Sequence, residues 1–333
     1  MPMSRAQFKK QLQEGVNTVF GLEYARHPEE WRYHLDFETS KKAYEEDVLM
    51  SGLDAAQVKA EGRGVHYSEG RELWTQRYTH ETIALAFALT EEAEQDNLYG
   101  SIGKRYGRAL ARSMQHTKEV KGANVLNNGF DANYAIGDGK ALFATDHPLE
   151  NGETLRNELA TPADLSEFSL EQALIDIDNF VDDKGIPMAT RATCLIIPPD
   201  LQFTADRLLN SSLRPGTSDN DINSIGHQGS ISNGYKVNHR LTDGRAWFIK
   251  TDCPEGMKHI QRMALRRGIE GDFETGNMRY KAWERYIQGA TDPRGAHGSA
   301  GGAALILLQR TPGLIAPAVF NCSRRFTNVR TYD

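Results

Sequence analysis

The sequence predicts an α+β fold, and three observations carry that expectation. A strand over Thr82–Thr90 feeds straight into a very long helix, an amphipathic helix over Phe168–Val181 precedes a buried-type strand, and two long alternating runs follow near the C-terminal end. Strands and helices mix without the regular strand–helix–strand rhythm of a parallel sheet.

The first ~45 residues hold scattered apolar side chains with no sustained period. Ala6–Leu12 reads as a short helix, and beyond it Tyr24, Trp31, Tyr33, Phe37 and Tyr44 stand among charged residues. So charged a segment cannot bury its own aromatics, so they must dock elsewhere: on this chain's own core, or in a pocket of a neighbouring subunit. Asp47–His80 then reads as an extended hairpin, with strand-like runs at Val65-His66-Tyr67 and Leu73–Tyr78 and Trp74 in the second. Its tip has little to pack on, and a long exposed hairpin invites pairing with another chain.

Along Thr82–Thr90, Ile83, Leu85, Phe87 and Leu89 alternate with small residues, as a strand packed on one face requires. Thr90 can cap the helix that follows, and Glu91, Glu92, Glu94 and Asp96 suit its positive N-terminal end. Leu98, Ile102, Tyr106, Ala109, Leu110, Met114 and Thr117 set an apolar stripe, with Lys104, Arg105, Arg108, Arg112, Lys118 and Lys121 on other faces. A helix running to Asn128 and stopping at Gly129 would span ~55 Å. Such a rod suits a beam better than a compact enzyme.

Downstream, Phe130–Gly139 is a loop, and the helix over Phe168–Val181, with Ser169 at its cap, turns Leu170, Ala173, Leu174, Ile177 and Phe180 inward. Thr193–Pro198 is a buried strand, Leu201–Leu209 a helix and Asn210–Gly234 a long polar loop, a length that usually marks interaction. Tyr235–Leu241 and Ala246–Lys250 frame a hairpin turn at Thr242–Arg245, and Met257–Arg266 and Met278–Ile287 read as antiparallel strands. Glycines loosen the chain after Gly289, and the tail Phe320–Asp333 is basic and aromatic.

At 333 residues with a formal charge of −6, the chain has ample core material and no basic excess of the kind a dedicated nucleic-acid binder shows. It could still enclose nucleic acid without gripping it. Three scattered cysteines make no metal spacing and no disulfide scaffold, which fits assembly in a reducing cytoplasm. No apolar run approaches ~20 residues, so nothing addresses a membrane.

No constellation for catalysis survives inspection. Asp146-His147-Pro148 is the most enzyme-like fragment, since a carboxylate can orient an imidazole for general-base work and hence a hydrolase, yet adjacent residues point apart. Ser299 lacks the glycine two residues before it that a nucleophile elbow needs. Gly137–Lys140 fails as a phosphate loop, and Asp219–Asn223 fails as a calcium loop because Ser224 replaces the required glycine. Asp176, Asp178, Asp182 and Asp183 read as a solvated face rather than a metal site. No catalytic residue, cofactor or metal is expected.

Leu142-Phe143-Ala144-Thr145-Asp146-His147-Pro148 resembles the Leu-Phe-x-x-x-His-Pro signature of phage Mu-type major head (capsid) proteins. The order around it fits: a hairpin, then Phe87–Glu92 opening a long helix, then the signature, Leu195–Pro198, Ala246-Trp247-Phe248 and Gly289–Gly295. The resemblance covers Tyr44 to Gly302 and implies the Hong Kong 97-type capsid fold of tailed phages. On that footing residues 1–45 are an N-terminal arm, 46–80 an extended loop, 81–140 and 256–295 a peripheral domain with a spine helix, 141–255 an axial domain and 296–333 a C-terminal segment. The resemblance implies a structural subunit, not an enzyme, self-assembling into pentamers and hexamers of an icosahedral shell around double-stranded DNA. Portal, scaffolding and decoration proteins are implied partners, with assembly in the host bacterial cytoplasm; some relatives cross-link subunits, but Lys59 has no identifiable partner. Tyr24, Trp31, Tyr33, Phe37, Tyr44, Tyr67 and Trp74 are the candidate subunit-interface residues. A virion accessory or decoration protein is the alternative, and a hydrolase using Asp146 and His147 the remoter one.

Overall fold

Two four-stranded sheets share the work of the core. The computed structural model describes residues 20–90, 99–213, 221–271 and 277–302, with side chains of the long helix from Arg105 onward. The expected helix at Ala6–Leu12, the acidic opening of the long helix and the basic tail lie outside these residues.

The first sheet orders β1 (Asp36–Thr39), β10 (Met257–Gly271), β11 (Met278–Ala290) and β4 (Glu81–Leu89) side by side. The expected pairing of the two long runs is present as the antiparallel β10–β11 ladder, and β4 adds to β11 with Phe87 opposite Tyr280 and Ile83 opposite Glu284. Directly opposed residues share a face, so Ile83, Phe87, Tyr280, Ala282 and Tyr286 all point to one side. The long helix α1 (Tyr99–Asn127) lies on that side, ~43 Å long over its 29 residues.

The face α1 buries differs from the expected stripe. Leu110, Ala111, Met114, Ala123 and Leu126 are buried, but so are Gln115, Lys118 and Glu119, while Tyr106 is half exposed and Ala109 is exposed. Polar residues enter this interface because partners wait there. Lys118 Nζ lies 2.6 Å from Glu284 Oε2 and donates to Tyr24 Oη at 2.9 Å.

The second sheet orders β12 (Ala296–Ser299), β9 (Trp247–Thr251), β7 (Ala192–Ile197) and β8 (Tyr235–Val237). Here the expected hairpin is wrong. β8 pairs parallel to β7 and β9 pairs antiparallel on its other side, so the two never touch. The local turn loses to a central strand that buries both faces: Leu195 and Ile197 enter a core with α2 (Glu167–Asp178) and α3 (Gln202–Asn210), while Cys194 and Ile196 enter another with Phe143, Phe248 and Leu126. β12, at the start of the segment expected from residue 296 onward, pairs antiparallel with β9 and completes this sheet.

The cap of α2 is Ser166, whose hydroxyl accepts from Ser169 N in a reciprocal box, three residues before the expected cap. Leu170, Ala173, Ile177 and Phe180 are buried as expected. Asp176 and Asp183 are not the solvated face that was expected. Asp183 faces the buried Arg294, which also grips Asp292 at 2.9 Å, and Asp176 accepts from Arg156 at 2.5 Å.

Candidate assembly surfaces

The hairpin is present but its strands are β2 (Tyr44–Met50) and β3 (Glu72–Thr79); Val65–Tyr67 is not a strand. Its stem is pinned where it leaves the body. Tyr78 Oη and Thr291 Oγ1 are 2.7 Å apart, Thr291 Oγ1 donates to Asp47 at 3.1 Å, and Lys258 Nζ donates to the same carboxylate at 2.7 Å. Residues 51–71 then run outward with little to hold them. Ser51 N donates to Arg71 O and Asp54 N to Ser68 Oγ, while Arg71 and Lys184 both reach Glu150. Beyond that base, Leu53, Val65 and Tyr67 are 62, 65 and 87% exposed and Val58 is wholly exposed. Apolar side chains gathered on one protruding loop are the kind of surface that closes against another molecule.

The aromatic candidates divide sharply. Trp31 is 1% exposed and belongs to this chain's own core, so the expectation that it reaches a neighbour is corrected. Its indole stacks on His259 at 4.1 Å, and His259 stacks in turn on Tyr286 at 5.1 Å. The segment carrying it satisfies its polar groups on α1: Trp31 N donates to Glu119 Oε2 at 2.9 Å and His34 Nε2 to Gly122 O at 3.0 Å. Gly122 must be glycine for this approach, since a Cβ there would stand 2.7 Å from that of Trp31. Tyr24 is half-buried, stacked on Phe20 and hydrogen-bonded to Lys118. Tyr33 and Trp74 are also half-buried, and Trp74 packs against the Gly137 turn. Phe37 and Tyr44 are 44 and 43% exposed, Phe37 beside Trp31 and Tyr44 under the Arg77 guanidinium. The site residues that reading for aromatics missed are the aliphatic ones, Met50, Leu53, Val58 and Val65. Met50 and Leu53 close the short apolar stretch Val48–Leu53, and Val58 and Val65 follow in a polar, glycine-containing stretch that offers them no core of its own.

The docking of residues 20–40 buries titratable groups at an electrostatic cost. Burial pushes the Glu119 carboxyl up to about 7. Burial also pulls His34 down to about 4 and His259 down to about 3, so both rings are neutral in the folded chain.

The enzyme-like fragment comes apart. Asp146 points outward to Lys140 at 2.5 Å, whereas His147 is buried with Nδ1 2.6 Å from Asp138 and Nε2 3.1 Å from Asn157 Oδ1. Asn157 is the knot of this region, its amide nitrogen reaching the carbonyls of Leu142, Pro293 and Ala296. The histidine therefore braces a loop junction, with its expected carboxylate partner facing away. Ser299 is likewise buried, its hydroxyl bonded to the backbone of Ala163.

A family model described as phage capsid protein matches residues 72–298. No curated protein sequence matches the chain. Among solved structures it resembles the virus-like particle from Pyrococcus furiosus, at 12% identity and a TM-score of 0.52, covering 86% of this chain and 98% of that one. It resembles the capsid of the cyanophage P-SCSP1u at 9% identity and a TM-score of 0.54, covering 80 and 86%. It also resembles the capsid of an empty GTA particle at 10% identity and a TM-score of 0.51, covering 84 and 91%. A sheet crossed by one long helix, a second sheet between two cores and a pinned, outlying hairpin are thus joined to a sequence match over two-thirds of the chain, and the protein belongs to the phage capsid family as a major capsid subunit of Hong Kong 97-type fold.

Proposed function

We propose that copies of this chain close into pentamers and hexamers of an icosahedral head around double-stranded DNA, with residues 46–80 as the extended loop that each copy lays on its neighbour. The observation that carries this reading is the exposure of Leu53, Val58, Val65 and Tyr67 on a loop whose stem is held rigidly by Asp47, Tyr78 and Thr291. A rigid stem presents the loop at a fixed angle, so little ordering entropy is lost when it docks. Helix α1 with β4, β10 and β11 forms the peripheral domain (81–140 and 256–295), and β7, β8 and β9 lie in the axial domain (141–255). Any embracing role of the arm falls to the residues before Phe20, because residues 20–40 are committed to α1 and the first sheet. The signature at Leu142–Pro148 supports a Mu-type head subunit within the phage capsid family.

On this reading the subunit is purely structural, it assembles in the bacterial cytoplasm, and portal, scaffolding or decoration proteins are its further partners. Size-exclusion chromatography with light scattering, followed by negative-stain microscopy, tests the proposal. Capsomer-sized and shell-sized material is expected, and a sharp monomer peak at all concentrations would oppose it.

A further inference from the structure

Helix α1 carries, on the side turned away from the sheet, Arg105, Arg108, Arg112 and His116, all exposed. The spacing is three, four and four residues, which sets these side chains on one face over about 17 Å of helix, successive residues about 5 Å apart along the axis. Composition hides this stripe, since the whole chain is net negative.

Among the described residues, the surroundings leave the stripe cationic at the surface. Arg112 and Arg26 have side chains 68 and 75% exposed, while the carboxylate they share, Glu23, is only 9% exposed beneath them. Glu30 is buried as well, its carboxylate taken by His239 and Arg240. Arg112, His116, His27 and Arg240 line one groove of about 520 Å³ beside the stripe, with the buried Glu30 and Glu119 also in its lining. The chain's own first 19 residues do not neutralise it, as they carry Arg5, Lys9 and Lys10 against Glu14. The opposite face of the layer is basic too, with Arg266, Lys281 and Arg285, but differs in kind. There the cations flank a shelf of Ala84, Ala86 and Ala88 beside Trp283, a flat surface suited to a polypeptide.

We propose that the Arg105–Arg108–Arg112–His116 stripe of α1 contacts the phosphate backbone of enclosed double-stranded DNA, and so marks the inward side of the shell. This rests on the shell reading above. The contact is non-specific: arginines meet phosphates and release counterions, and no side chain of the stripe is placed to read bases.

The test compares the parent with R105Q/R108Q, which leaves Arg112 on Glu23, and with R266Q/K281Q on the sheet face. Unassembled full-length protein is titrated with a 20-base-pair DNA duplex at rising salt, and particles of all three are imaged. R105Q/R108Q should bind at least tenfold more weakly at 50 mM salt, with a slope of log affinity against log salt smaller by about 2. R266Q/K281Q should keep the parental slope, and R105Q/R108Q should still form shells. A parental slope in R105Q/R108Q, or a reduced slope only in R266Q/K281Q, would overturn the assignment. Loss of shells in R105Q/R108Q with unchanged DNA binding would also overturn it, making the helix face a protein interface. Absence of shells from the parent itself would count against the shell reading, and the DNA titration would then judge the stripe alone.

Discussion

Residues 20–40 and residues 51–71 look alike in sequence and end in opposite situations. Both are polar stretches with isolated apolar residues and no self-sufficient period. In the folded chain Trp31 is 1% exposed, while Tyr67 is 87% exposed. Hydrophobicity does not separate them; hydrogen-bond partners do. The first stretch meets acceptors on α1, Glu119 for the Trp31 backbone N–H and the Gly122 carbonyl for His34 Nε2, which lowers the cost of its burial although the Trp31 indole N–H is left without a partner among the described residues. The second meets bonds only at its base, and its apolar residues stay in water until another molecule covers them. On the proposed reading, the subunit holds one outlying segment for its own stability and leaves the other for its neighbours.

If that division is right, Trp31→Ala has the largest effect on the free subunit. Losing an indole stacked on His259 should cost about 4 kcal/mol in urea unfolding, with assembly failing only as a consequence. A variant that unfolds like the parent yet fails to assemble would move Trp31 to the interface. Lys118→Met comes next. It strands Glu284, which has no exposed surface, and should cost about 3 kcal/mol by the same measurement. A change below about 0.5 kcal/mol, the scale of an ordinary surface substitution, would mean the pair is not formed.

Glu119→Gln probes the same docking through pH. Burial raises this carboxyl from 4.5 to about 7, so the folded chain holds the proton more tightly than the unfolded chain. Its contribution therefore favours folding at low pH and is lost as pH rises from about 4.5 to about 7. Glutamine keeps an acceptor for Trp31 N, and the variant should be roughly 2 kcal/mol more stable than the parent at pH 8, with the gain vanishing towards pH 4. His34 and His259 act the other way in both proteins. Held neutral, they contribute fully above about 6.5 and their contribution is lost as pH falls towards 4 and 3. A stability difference independent of pH would contradict the buried state of Glu119.

Periodic elements were legible in the sequence, and polar compensation was not. The strand into the long helix, the Leu170–Phe180 face and the β10–β11 pair follow from apolar spacing alone. The buried side of α1 was misread because Gln115, Lys118 and Glu119 are sheltered by Tyr24, Trp31 and Glu284, residues far away in the chain. The β8–β9 hairpin was misread because its turn is locally sound, and only the doubly buried β7 overrules it. Asp146 beside His147 suggested chemistry through adjacency, whereas Asp138, nine residues away, holds the imidazole. The hairpin was seen as an outlier, but its aliphatic contacts were overlooked in favour of aromatics.

The smallest effect on stability should accompany the largest effect on assembly, in the quadruple variant Leu53→Ser, Val58→Ser, Val65→Ser and Tyr67→Ser. These side chains are already in water, so the free subunit should unfold within about 0.5 kcal/mol of the parent. Light scattering of the same preparation should find no shell-sized material where the parent forms it. Shells at the parental yield, or an isolated subunit several kcal/mol less stable, would contradict the account.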